Sequence, residues 1–408
     1  MELFYRDAVV SSEVFWEDLI DELNQCNSYN PYCKSDDYYL IFKQIILSLL
    51  LGESIVLLDS DFTKEELEKL TGYSDFESFT HQISEKKFKN IVSKNQLLSS
   101  IHANKSNWKI TLFTSGTTGL PKRVTHSFES ISRFVKLSNL KNIWGFAYNP
   151  THIAGLQVFF QAFLNGNPII RLFGLQQSEI LHEIQTYNIT HLSATPTFFR
   201  LLLPIQGIFP SLSRITSGGE KFDSKTIEQL KIVFSQAKIT NVYASTEAGS
   251  LFAADGDIFT IKPEIQELVR IENNELFIHH SLMGVSEMNT GEWYATGDII
   301  DIIEDNPIKF RFLSRKNEMI NVGGYKVNPH EVEEVIRSIP GIMDVRIFSK
   351  SNSVLGNIIC CEVVKNNPEI EETSIRLFLQ SRLQEFKIPR MIKFVDSLTT
   401  TRTGKIKR

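Results

Sequence analysis

The chain has little cysteine: four residues in 408, namely Cys26, Cys33, Cys360 and Cys361. That is too few for a disulfide framework, and no C-x-x-C pair offers a zinc site. Cys360 and Cys361 are neighbours in an apolar run, so in a strand they would point to opposite faces and not pair. A reducing compartment is the expected setting. An excess of one charge is also missing, with 43 Lys+Arg against 48 Asp+Glu and a net charge of −5. Nothing in that balance provides an electrostatic footprint for nucleic acid or an anionic membrane. Long apolar runs are absent too. The most hydrophobic stretch, residues 38–58, is interrupted by Lys43, Gln44 and Glu53 and does not read as a membrane span. Residues 1–7 lack the basic-then-apolar order of a signal peptide. There is no internal repeat and no low-complexity tract. What remains is a cytoplasmic enzyme or binding protein. At 42% hydrophobic and 22% charged it can bury a full core, and its length suits two or three domains or one large domain with a small one.

Up to about residue 108 the pattern predicts helices around one short strand. Phe42, Ile45, Ile46, Leu49 and Leu50 form a helical stripe that Gly52 can close, and Ser54–Asp59 reads as a buried strand. Thr63 to Leu70 reads as a polar surface helix, and the segment from Gly72 to Lys105 is charged and weakly patterned. From Lys109 to about Ile303 short apolar strands alternate with helical stretches. The strand candidates are Ile110–Phe113, Ile189–Ala194, Arg214–Ser217 and Ile239–Tyr243. This alternation predicts an α/β domain with a mainly parallel sheet, whose strand ends are where ligands sit. A small α+β unit begins near Arg315. In it Asn328, Pro329 and Glu331 have the spacing of a capped helix start, with Glu331 completing a capping box, and Pro340-Gly341 is the stop. Strands at Val345–Phe348, Ile358–Val364 and Met391–Val395 and a helix over Ile375–Phe386 follow. The expected division is a large domain over 1–314 and a small one over 315–408.

The strongest local signal is Thr114-Ser115-Gly116-Thr117-Thr118-Gly119-Leu120-Pro121-Lys122. Hydroxyls and glycine amides set after a strand can close around phosphate oxygens, and a lysine adds charge. It is not a Walker loop, because Gly119 is followed by Leu120 rather than by a lysine and a hydroxyl residue. Taken alone it also reads as a flexible polar hairpin. Four further motifs follow in order. They are Tyr243-Ala244-Ser245-Thr246-Glu247, Tyr294-Ala295-Thr296-Gly297-Asp298, Ser314-Arg315-Lys316-Asn317 with Gly323-Gly324-Tyr325-Lys326, and Thr403-Gly404-Lys405.

In this order the motifs resemble the adenylate-forming superfamily of acyl-CoA and aryl-CoA synthetases, stand-alone adenylation domains and luciferases. The resemblance runs over about residues 110 to 408. It implies a reaction in which a substrate carboxylate attacks the α-phosphorus of ATP and pyrophosphate leaves. The carboxylate is already an anion at neutral pH, so alignment and charge compensation matter more than a general base. By resemblance, the loop from Thr114 to Gly119 (Thr114, Ser115, Gly116, Thr117, Thr118 and Gly119) and Lys122 serve the phosphates. Thr246 contacts the α-phosphate, and Glu247 is the Mg²⁺ ligand, a hard oxygen donor for a hard cation. Tyr243 stacks on adenine, Gly218, Gly219 and Glu220 approach it, and Asp298 accepts the ribose hydroxyls with Arg315 nearby. Lys405 reaches the α-phosphate and the substrate carboxylate. His152 and Ala244 fall at positions that line the acyl pocket, while Asn317, Gly323 and Gly324 serve a hinge and a thiol channel.

Each residue also has a plainer reading. Glu247 is a helix-start carboxylate, Asp298 a turn residue and Arg315 an exposed linker arginine. Ser217–Glu220 is a tight turn, His152 a core histidine, Lys405 part of a basic tail and Asn317 a surface turn residue. Val158, Phe159 and Phe163 read as core rather than substrate wall.

Some positions depart from the family pattern. Only 113 residues precede Thr114, a short N-terminal part that resembles the o-succinylbenzoate–CoA ligase type more than long-chain fatty acid enzymes. Ala244 stands where glycine is usual, Asn317 where Asp or Lys is common, and Lys326 where Arg is frequent. The resemblance implies an ATP- and Mg²⁺-dependent acid–thiol ligase acting on a small carboxylic acid, with coenzyme A as acceptor. Two other readings stay open: loading of the phosphopantetheine of an acyl carrier protein, and a nucleotide-binding protein without catalysis.

Overall fold

In the computed structural model, residues 1–73, 81–82, 90–114, 121–285, 291–316, 318–322, 325–352, 356–401 and 405–407 are described. The largest sheet has eight strands. From one edge to the other they are Gly249–Ala254, Lys238–Ser245, Arg214–Gly218, His191–Ala194, Trp144–Phe146, Ile169–Arg171, Leu3–Asp7 and Ser12–Phe15. The six inner strands run parallel and both edges are antiparallel. The α/β expectation therefore holds, but its starting point moves. Leu3–Asp7 is a strand, where the sequence pattern pointed to helices around a single strand. Phe4 and Tyr5 are fully buried on it, and Asp7 pairs with Arg171 on the neighbouring strand (Nη1–Oδ2 2.9 Å). An acidic residue inside a sheet is tolerated because its partner arrives from 164 positions away.

The helix Tyr38–Leu51 forms as its sequence requires. Asp37 accepts the Leu40 N–H at 3.1 Å, and Gly52 ends it at φ +68°. Its burial exceeds one stripe, since Leu47 and Ser48 are buried beside Ile45, Ile46 and Leu49. It is a core helix. The expected polar helix is Lys64–Thr71, with Thr63 as its N-cap, and a further helix, Lys94–Asn104, occupies part of the weakly patterned segment.

A four-stranded sheet of Tyr32–Lys34, Ile55–Leu58, Lys109–Thr114 and Lys122–Ser127 carries the phosphate-loop motif. Its last two strands are an antiparallel hairpin in which Thr114 faces Lys122. The βα alternation stops at Ser245 rather than near Ile303. From there five antiparallel strands form one sheet, ending in the long hairpin of Trp293–Asp305 with Ile308–Arg315.

Beyond Arg315 a separate core gathers Val327, Val332, Ile336, Val345, Ile347, Cys361, Val363, Ile375 and Leu379. Around it lie strands Ile342–Asn352, Gly356–Lys365 and Met391–Phe394 and helices Pro329–Arg337 and Glu372–Gln380. The second helix is shorter than its apolar pattern. Asn328 caps the first through the His330 N–H at 3.0 Å, but Glu331 closes no capping box; it pairs with Lys387 at 2.7 Å. All four cysteines are free thiols, and Cys360 and Cys361 are both buried. Among the described residues no helix is long and apolar enough to cross a membrane.

Candidate active site

The C-terminal ends of strands Arg214–Gly218 and Lys238–Ser245 open onto a shared surface where the backbone is laid bare. A Cβ on Gly218 would lie 2.6 Å from the Val242 carbonyl oxygen, so only glycine fits there. Gly219, at φ +86°, turns the chain away; a Cβ there would meet Lys405 Cε at 3.1 Å and Nζ at 3.3 Å. The near-terminal lysine thus lies directly over the glycine pair.

Glu220 fixes this arrangement. Its Oε2 accepts the Thr197 N–H (3.1 Å) and hydroxyl (2.6 Å), while its Oε1 accepts the Ile406 N–H at 3.1 Å. The residue next to Lys405 is therefore tied to the large domain. Burial pulls the Lys405 ammonium below its ordinary pKa; Glu220 opposes that shift and Arg315 adds to it, with Glu318 and Glu247 also acting on the group.

Asp298 is buried on the long hairpin, directly across from Arg315 in register. Its Oδ1 accepts from Arg315 Nε at 2.9 Å and its Oδ2 accepts the Tyr243 hydroxyl. Burial raises the carboxyl pKa, and Arg315 and Tyr243 partly offset the rise. A carboxylate offers about four lone-pair sites, and these contacts use two.

Thr246 and Glu247 follow the same strand as Tyr243 and are half-buried. Their backbone carbonyls are both engaged, Thr246 by His126 Nε2 (2.8 Å) and Glu247 by the Gly284 N–H (2.7 Å). Ala244 lies opposite Ser250, beside a bulge in the strand pair. Ser250 donates to Gln157 Oε1 at 2.8 Å, which joins this edge to the helix Ile153–Phe163. At the start of that helix, His152 Nε2 is 3.8 Å from Asp59 Oδ1, and Thr151 donates its hydroxyl to the same carboxylate oxygen. Val158, Phe159 and Phe163 are core residues, as their spacing suggested.

The structure thus brings Lys405, Gly219, Glu220, Glu247 and Arg315 near one another, with Asp298 and Tyr243 joined to Arg315 and Gly218 beside Gly219. Thr114 and Lys122 face each other at the base of the phosphate hairpin. Ser115, Gly116, Thr117, Thr118 and Gly119 lie outside the described residues, as do Asn317, Gly323, Gly324, Thr403 and Gly404.

Sequence reasoning missed Arg200, which is 8% exposed. It contacts Asp344 (3.2 Å), Asp223 (3.5 Å), Glu220 (3.7 Å) and the Thr197 hydroxyl (2.8 Å). Burial disfavours its charge, but Asp344, Glu220 and Asp223 outweigh that and hold it above its ordinary pKa. Asp344 belongs to the C-terminal unit, as do Glu334, paired with Lys221 at 2.6 Å, and the Arg337 carbonyl, which accepts from Lys225 at 2.6 Å. His126 was also missed. Its signal was an inward-facing position four residues after Lys122 on one strand.

The Gly218–Gly219 turn, the Asp298 carboxylate and the half-buried Glu247 are groups that suit ATP with Mg²⁺. Among the described residues no group of three or more His, Cys, Asp or Glu could hold a metal.

A large α/β domain, a small C-terminal domain and a lysine laid over a glycine turn at the strand ends are together the arrangement of an adenylate-forming enzyme. The chain belongs to the AMP-binding enzyme family: residues 44–272 match AMP-binding enzyme and residues 331–405 match AMP-binding enzyme C-terminal domain. It is similar to the 2-succinylbenzoate–CoA ligase of Staphylococcus epidermidis, 27% identical over 328 residues, 73% of this chain and 68% of that protein. The enzyme of the same name from Staphylococcus aureus (strain Newman) is 27% identical over 420 residues, 94% of this chain and 82% of that protein. In fold it resembles the o-succinylbenzoate–CoA synthetase of Bacillus subtilis in complex with an acyl-adenylate intermediate. That match has a TM-score of 0.72 at 17% identity, over 99% of this chain and 94% of the other.

Proposed function

We propose that this chain is an ATP-dependent acid–CoA ligase that activates a small aryl acid of the succinylbenzoate type as its acyl-adenylate. It then passes the acyl group to the thiol of coenzyme A. The observation that carries this reading is the placement of Lys405 over Gly219, held by the Ile406–Glu220 hydrogen bond and set beside Arg315 and Glu247. The substrate carboxylate is an anion already, so the site has no proton to remove in the first step. Lys405 supplies positive charge where negative charge gathers during attack. Asp298 receives the ribose hydroxyls on its two remaining acceptor positions while Arg315 and Tyr243 keep it oriented. Glu247 would hold Mg²⁺, which neutralises phosphate charge when bound.

The division into 1–314 and 315–408 belongs to this proposal, with the smaller part carrying Lys405 in and out of the site. The second half-reaction needs a path for a long thiol, and Lys405 occupies that neighbourhood in the first. Asn317, Gly323 and Gly324 are the residues we assign to the hinge and thiol channel. The free thiols at Cys26, Cys33, Cys360 and Cys361 support a cytoplasmic setting. ATP–pyrophosphate exchange across aryl, short-chain and long-chain acids tests the first step, and free coenzyme A against a phosphopantetheinylated carrier protein tests the second. Exchange with aryl acids and transfer to free coenzyme A is the expected result. Transfer to the carrier alone would reassign the acceptor, and exchange with no acid would overturn the ligase reading.

A further inference from the structure

His126 lies on the strand Lys122–Ser127, the outgoing arm of the phosphate hairpin, with its ring 1% exposed. Its Nε2 is 2.8 Å from the Thr246 carbonyl oxygen, 120 positions away in sequence, and its Nδ1 is 2.9 Å from Ser130 Oγ. A carbonyl oxygen can only accept, so Nε2 carries the proton; the neutral ring then accepts the Ser130 hydroxyl at Nδ1. The tautomer is thus set by its two partners.

Gly284 completes the arrangement. Its N–H donates to the Glu247 carbonyl at 2.7 Å, and Val285 exchanges two backbone hydrogen bonds with Thr125, of 2.9 and 2.8 Å. A Cβ on Gly284 would lie 2.8 Å from His126 Cε1 and 3.0 Å from both ring nitrogens. Here glycine is required by the ring packed against it, not by a left-handed turn. Two consecutive carbonyls, of Thr246 and Glu247, are therefore each taken by a donor from one assembly built on the phosphate-hairpin strand. With both carbonyls held, the peptide plane between them is fixed and so is the direction in which the Thr246 and Glu247 side chains leave the backbone.

We infer that His126 is a positioning residue: by donating to the Thr246 carbonyl it fixes the pose of Thr246 and Glu247 relative to the phosphate hairpin, and so the binding of Mg²⁺-ATP. This rests on the assignment of Glu247 to Mg²⁺ made above. Two amide substitutions separate the two ring contacts. His126→Gln has the reach to donate toward Thr246, whereas His126→Asn reaches only toward Ser130. Calorimetric titration of the full chain with Mg²⁺-ATP reads the effect without needing turnover. The Asn variant should bind Mg²⁺-ATP about tenfold more weakly, the scale of one lost hydrogen bond in a buried site, while the Gln variant stays within about threefold of the parent. Titration with ATP in EDTA should shrink the difference, because the defect concerns the metal-binding pose. Equal affinities for the two variants, or a ranking that follows their melting temperatures instead of side-chain reach, would overturn the inference. Should the parent bind Mg²⁺-ATP yet exchange pyrophosphate with no acid, the ligase reading fails while the His126 comparison still stands or falls on binding.

Discussion

Replacing Arg200 with leucine should slow adenylation far more than thioester formation, and the structure sets the size of the effect. The guanidinium sits among Asp344, Asp223 and Glu220 at 3.2, 3.5 and 3.7 Å. Removing one member of a buried ion pair costs about 3–5 kcal/mol, because the partner is left charged and dry. Asp223 keeps its Thr226 contacts, Glu220 its Thr197 contacts, and Asp344 its Arg337 pair (3.4 Å) and the Val345 N–H (2.9 Å), so what is lost is chiefly the Arg200–Asp344 tie between the two domains. Asp344 can regain water if the small domain lifts away. The penalty then falls on docking rather than on folding, and we take the lower end, about 3 kcal/mol, which is roughly a 10²-fold loss of the docked orientation. Lys405 is delivered only in that orientation, so ATP–pyrophosphate exchange should fall by a similar factor. Transfer from pre-made acyl-adenylate to coenzyme A should keep most of its rate. The double variant Arg200→Leu/Asp344→Asn should recover part of the exchange activity, since the amide carries no charge to bury and its oxygen can still accept from Arg337. Unchanged exchange in Arg200→Leu, or equal loss in both half-reactions, would refute the argument.

The pH profile of exchange kcat/KM should show an alkaline limb below the ordinary lysine value of 10.5, because burial lowers the Lys405 pKa and the protonated form is the one that compensates phosphate charge. Lys405→Arg should abolish that limb, since a guanidinium stays charged; a limb that persists unchanged assigns it elsewhere. Glu247→Gln should keep the melting temperature and shift the Mg²⁺ dependence of exchange to higher concentration, and an unaltered magnesium titration would remove Glu247 from the metal. His191, its ring tilted against Trp144 with centroids 4.6 Å apart, has its pKa pushed down to about 4 by burial, with Arg214 adding to the shift. Between there and its ordinary 6.5 the unfolded chain binds more protons, so stability should fall as pH drops through that window. His191→Gln should flatten the slope in a pH series of melting temperatures, and an identical slope in both proteins would count against it.

What the sequence made legible was local. Gly52 marks the end of a core helix because the left-handed stop is decided within a few residues. Asn328 and Pro329 mark another start for the same reason, but Glu331 was misread, since Lys387 competes for it from a distant turn. The strand Leu3–Asp7 was not legible, because what makes it a strand is the seat beside Ile169–Arg171 and the Asp7–Arg171 pair. The site divides in the same way. Its motifs are contiguous, and the resemblance found them. Glu220 read as part of a nucleotide turn, yet its contacts with Thr197 and Ile406 come from 23 and 186 positions away. Arg200 carried no local signal, for its partners are scattered from Thr197 to Asp344.

Those scattered partners give the contact between the two domains a set of polar ties. Lys221–Glu334, Lys225 with the Arg337 carbonyl, Arg200–Asp344 and the Ile406–Glu220 hydrogen bond are all polar. An apolar seam of the same extent would hold the docked state more firmly, but every separation would expose it to water at about 25 cal/mol per Å². Polar groups behave differently at a seam that opens. The desolvation they suffer when docked is returned when they separate, so docked and undocked states lie close in free energy. Such a seam suits a domain that must dock to present Lys405 and leave to admit a thiol. Glu220 gives the seam its direction: one carboxylate oxygen is held by Thr197 on the large domain and the other by the Ile406 N–H, so in the cycle proposed above docking and delivery of the adjacent Lys405 would be one event.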